Sequence, residues 1–204
     1  MKKLLVLAGV TTALGLGSAG AVAQGGYRSP QCDLKTGHFL VNSGVVYIKG
    51  ASEESDRGKR ERMLNDAHRN LIDAIRRGQE NNPAVWYYLG RYYVMTNDLV
   101  GADSAFDRAE TGVPDCKEDI KYYRQISWVP TMNMAVDSMR AGSNDGAVVL
   151  LRQAYAIFPE DNLAPYYMAR IYGNEGELDS ALFYFKEVVR VGDADTSRTE
   201  NYET

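Results

Sequence analysis

Apolar positions recur along this chain in a spaced triplet. Ala102, Phe106 and Ala109 stand four and then three residues apart, which places them on one face of a helix. The same triplet returns as Ala67/Leu71/Ala74, as Ala147/Leu151/Ala154 and as Ala181/Phe185/Val188. Its leading alanines are 35, 45 and 34 residues apart. A second set of apolar and small residues precedes the clearest copy: Trp86, Leu89, Gly90 and Tyr93. A bulky residue followed by a small one lets a second helix approach closely, and the following Ala permits the same contact from the other side. No such helix pair buries its apolar face alone, so the pairs must stack. The pattern therefore predicts an all-α chain of consecutive helix pairs.

The spacing W-x2-L-G-x2-Y at Trp86, Leu89, Gly90 and Tyr93, followed by Ala102, Phe106, Ala109 and Pro114, resembles the tetratricopeptide-repeat family. All eight landmarks of that pattern are filled. Met168, Ala169 and Tyr172 take the places of Leu89, Gly90 and Tyr93 in the last copy, and Pro159 follows Ala154 as Pro114 follows Ala109. The resemblance implies a right-handed superhelical solenoid of antiparallel helix pairs. It divides the chain into 24–36, an N-terminal segment; 37–82, a divergent first repeat; 83–116, the best match; 117–127, an insertion; 128–161 and 162–195, two further repeats; and 196–204, a polar tail.

Two places depart from the period. Asp115 and Glu118 read as a capping box opening a helix through 117–126, and Pro130 disfavours helix just before it. Either a short extra helix or one long helix kinked near Pro130 satisfies the pattern. In the first repeat, Gly44 and Tyr47 match Gly90 and Tyr93, but the charged stretch 50–59 reads as a long loop. Residues 45–48 are β-branched enough for a strand; helix is the expectation.

Met1–Lys2–Lys3, the apolar run from Leu4 to Leu16, and Ala21-Val22-Ala23 before Gln24 form a secretory signal with its cleavage site. The expectation is a periplasmic or secreted chain, cut after Ala23, with no later membrane span. Without Lys2 and Lys3 there remain 21 basic against 27 acidic residues. That balance argues against a nucleic-acid partner, which needs a basic face. The two cysteines, Cys32 and Cys116, are expected to pair in an oxidising compartment.

Chemistry is sparse. His38 and His68 are the only histidines. No catalytic motif, metal-ligand spacing or cofactor fingerprint is present. Asn144-Asp145-Gly146 reads as turn chemistry between two helices. No catalytic role and no cofactor is expected.

The resemblance implies that first helices line a concave groove. On that register Tyr87/Arg91, Met132/Val136 and Tyr166/Arg170 form a ladder along it. Tyr and Arg are enriched at binding hot spots, so the expected function is an exported protein-binding scaffold holding a partner peptide or helix. Two alternatives stand beside it. One is a self-assembling homo-oligomer, suggested by an apolar end around Phe183, Val188 and Val191. The other is the helical part of a larger envelope enzyme or assembly.

Overall fold

The computed structural model describes residues 26–194; the expected signal sequence and the polar tail lie outside them. Eight α-helices run in sequence: α1 (Phe39–Glu53), α2 (Arg57–Ala74), α3 (Pro83–Thr96), α4 (Leu99–Gly112), α5 (Lys117–Arg140), α6 (Asn144–Ile157), α7 (Leu163–Glu175) and α8 (Leu178–Ala194). No strand occurs among the described residues. Each odd-numbered helix packs most extensively on the even one that follows, and neighbouring pairs pack on each other.

Local chemistry sets the boundaries. His38, Asp56, Asn82 and Asp98 each accept a backbone N–H in the first turn of α1, α2, α3 and α4. Pro83 opens α3, where its missing N–H has no helical partner to lose. Asn97 ends α3 in the left-handed region at φ 61°, and Gly176 ends α7 at φ 81°.

The triplets read from sequence form the core. Ala67, Leu71, Ala74, Ala102, Phe106, Ala109, Ala147, Leu151 and Ala154 are all fully buried. The small landmark acts as expected: Gly90 lets the Phe106 ring lie directly on the α3 backbone, and Gly44 does the same for Leu71. The fourth triplet differs. Ala181 is buried, but Phe185 is exposed, because no further helix covers it among the described residues.

Three expectations need correction, and one open choice is decided. The stretch 50–59 is not a long loop: α1 and α2 are extended through it, and only residues 54–56 separate them. Ala51 is buried there and Gly50 faces Met63, so the added turns pack on each other. Of the two alternatives at Pro130, the structure has one long helix: α5 runs for 24 residues with Pro130 inside it. Asp115 forms no capping box; it sits in a 3-10 turn, Pro114–Cys116, and α5 begins without a side-chain cap. Asn144-Asp145-Gly146 is the first turn of α6 rather than the preceding turn, and Asn144 donates to Glu175 at 3.1 Å.

The buried side chains form two clusters. The first spans α1 to the start of α5, with Ile157 and Phe158; the second joins the end of α5 to α6, α7 and α8. Helix α5 belongs to both, and Trp128 packs against each. The 11 extra residues before Ala147 thus lengthen one helix until it reaches across the junction.

A candidate binding face and the segment that lies on it

The six expected groove residues fall into two groups. Tyr87 is fully buried on α3, Arg91 is 4 % exposed, and Met132 is buried in the second cluster. Val136 is half-buried, whereas Tyr166 and Arg170 on α7 face solvent, with the Arg170 guanidinium 5.8 Å from the Tyr166 ring centre. The expectation of one continuous open ladder is therefore corrected: its α3 end is closed, and its α7 end is open.

The chain's own N-terminal segment contributes to that closure. Residues 26–37 contain no helix and lie across the first helices. The Tyr27 hydroxyl is 3.5 Å from that of Tyr88 on α3. Arg28 pairs with buried Asp119 of α5 at 3.1 Å and lies 3.9 Å over the Tyr122 ring. Tyr123 donates its hydroxyl proton to the Arg28 carbonyl at 3.5 Å. Asn82 donates to the Thr36 carbonyl at 2.7 Å. A disulfide between Cys32 and Cys116, with Cα atoms 5.1 Å apart, fixes the segment to the start of α5. This is the expected pairing.

Beneath the segment is a buried aromatic and ionic cluster. Arg91 lies 4.6 Å from the Tyr27 ring centre and 4.8 Å from that of Tyr123, with Tyr88 and Tyr87 at 5.7 and 5.9 Å. It makes no ion pair among the described residues, so ring faces are its principal compensation. Tyr87 donates to Asp119. Burial pushes the Tyr87 phenol far above its ordinary value, against the opposing charge of Arg91. Burial likewise raises Tyr88, helped by its contact with Tyr27, and raises Tyr123. Asp119 is thus held by a phenol and an arginine, while buried Arg91 faces aromatic rings and leaves one guanidinium nitrogen without a hydrogen bond among the described residues.

A second ion cluster, with buried Arg124 at its centre, fixes α5 against α4. Arg124 donates to Asp103, to Asp107 at 2.7 Å and to the Ile157 carbonyl at 3.0 Å. Glu110 lies 3.6 Å from its Nε. Burial raises both Asp103 and Glu110, and Arg124 draws each back down.

Tyr27, Arg28, Asp119 and Tyr123 were not singled out in the sequence. The signal was there: a Cys32–Cys116 bond must bring the residues before Cys32 to the start of α5. Neither histidine stands in a catalytic arrangement. His38 caps α1, and half-buried His68 stacks on Tyr92 at 4.7 Å, with its pKa lowered by burial.

No known protein family matches the chain, and neither a curated protein nor a solved structure is detectably similar to it. The functional reading therefore rests on the geometry above.

Proposed function

We propose that this chain is an exported scaffold of tetratricopeptide type that holds an extended segment of a partner protein on its first-helix face, without catalysis of its own. One observation carries the reading. An extended segment, residues 26–37, already lies on the α3/α5 part of that face, held by tyrosine rings, an Arg–Asp pair and a backbone hydrogen bond. A face that accepts one extended segment through stacking and charge is chemically suited to another. Tyr166 and Arg170 on α7 offer the same pair of side chains to solvent.

Export is supported by the order of charged, apolar and small residues in 1–23 and by the disulfide, which persists in oxidising compartments. The repeat assignment is supported by the filled landmark pattern and by the close approach of Phe106 to Gly90. The expected ligand is a peptide with an acidic or C-terminal carboxylate, which Arg170 grips with paired hydrogen bonds, beside an apolar residue on Tyr166.

The test is crosslinking in the native cell envelope with wild type and with Tyr166→Ala/Arg170→Glu. Both positions are exposed, so the helical circular-dichroism spectrum should be unchanged. Loss of a specific captured protein supports the reading. An identical captured set from both chains refutes the α7 face as the site.

A further inference from the structure

Helix α8 carries a second surface that does not depend on the peptide-binding reading. Leu178, Leu182, Phe185 and Val189 are 72, 55, 44 and 59 % exposed. Their steps of four, three and four residues place them in one stripe about 60° wide on a helix. The apolar end expected around Phe183, Val188 and Val191 is in this way relocated. Phe183 is exposed but lies about 100° around the helix from Leu182, Val188 is half-buried and Val191 is buried. Phe185 occupies the place that Leu71, Phe106 and Leu151 fill in the other pairs, where all three are fully buried. The stripe is thus an interhelical seam with one helix in place.

Its flanks are unlike each other. On one side stand Asp179 and Lys186, both exposed and without an ion pair among the described residues. On the other stand Ala181 and Val188.

We propose that a second copy of the chain covers this seam, the two α8 helices packing antiparallel about a two-fold axis between Leu182 and Phe185. In that register Leu182 meets the partner's Phe185 and Leu178 meets the partner's Val189. Each Asp179 then opposes the partner's Lys186, and the symmetry makes two such pairs. A parallel pairing offers no such match, because each charged flank would then face the apolar flank of its partner. It would also align like ends of the helix dipoles. The surface is self-complementary in size and in charge, and this favours a copy of itself over an unrelated helix.

Sedimentation of the chain from Gln24 onward, with its disulfide intact, tests the proposal. A dimer should appear and dissociate over roughly a hundredfold dilution. Leu182→Glu should leave only monomer, with an unchanged helical spectrum. Asp179→Lys and Lys186→Asp should each weaken the dimer roughly tenfold, because both symmetric pairs become repulsive. The double variant Asp179→Lys/Lys186→Asp should restore it. A wild-type chain that stays monomeric at every concentration overturns the proposal, as does a dimer indifferent to Leu182→Glu. A double variant no tighter than either single one overturns the antiparallel register. A monomer whose seam captures a different protein overturns pairing with itself.

Discussion

Replacing Gly90 by Ala isolates the contact on which the pairing of α3 and α4 rests. An added Cβ would lie 2.9 Å from Phe106 Cζ and closer still to Cδ1 and Cε1. The ring has little room to withdraw: it is fully buried, with the Tyr123 ring 6.3 Å behind and the Arg124 guanidinium 5.7 Å from its centre. Overpacking of this kind costs about 1–3 kcal/mol. Ala in place of Gly in a helix returns about 1 kcal/mol. The net expectation is a loss of about 0–2 kcal/mol, a fall in Tm of up to about 8 °C for a domain of this size. Gly173 in α7 supplies the control. Its added Cβ meets only Ala181 at 3.9 Å, an ordinary contact, so the same substitution there should stabilise by about 0.5–1 kcal/mol. Thermal and urea unfolding of both variants measure the two signs. In a Phe106→Leu background the Gly90→Ala penalty should shrink. If Gly90→Ala and Gly173→Ala shift stability in the same direction, close approach at Gly90 is not what limits that position.

Three further outcomes are expected. Cys32→Ser/Cys116→Ser removes a cross-link between residues 84 apart and should cost about 4.5 kcal/mol in the chain-entropy description, measured by urea unfolding; cleavage by trypsin after Arg28 should also quicken. Tyr87, Tyr88 and Tyr123 have folded-state pKa values raised by burial, so their contribution to stability is complete below about pH 10 and is lost as pH climbs further. Tyrosinate absorbance from them should therefore appear together with loss of helical signal, and its appearance in a still-folded chain would contradict the burial argument. Arg124→Met leaves Asp103 and the Ile157 carbonyl without their donor and should cost about 3–5 kcal/mol. The deficit, followed by unfolding at several pH values, should narrow on mild acidification, as the uncompensated Asp103 takes up a proton.

Helix faces were legible in the sequence because a four-then-three spacing has one structural meaning. That is why Ala67, Phe106 and Leu151 fell where the period put them. Lengths were less legible. Charged residues at 50–59 suggested a loop, yet a helix with one buried face carries charge on the other, as Arg57 and Glu61 do on α2. Pro130 left a separate helix or one long helix open, and packing on both sides of it outweighs one missing hydrogen bond. The expected ladder misjudged exposure at its α3 end for a similar reason. Helical period places Tyr87 and Arg91 on a common face, but it cannot say that a segment 60 residues earlier lies over them. The cysteine pair carried that information, and it places Tyr27 and Arg28 on α3 and α5.

Stacked repeats joined by short turns commonly lose structure in stages, because each unit touches only its neighbours. The unbroken α5 sets a different boundary here. Its first half is core for one cluster and its second half is core for the other, with Trp128 in both. Melting the helix as a whole therefore strips buried surface from both clusters at once. Hydrogen exchange along Ile120–Ala135 should accordingly report a single opening free energy, so that the two ends of the molecule lose protection as one cooperative unit.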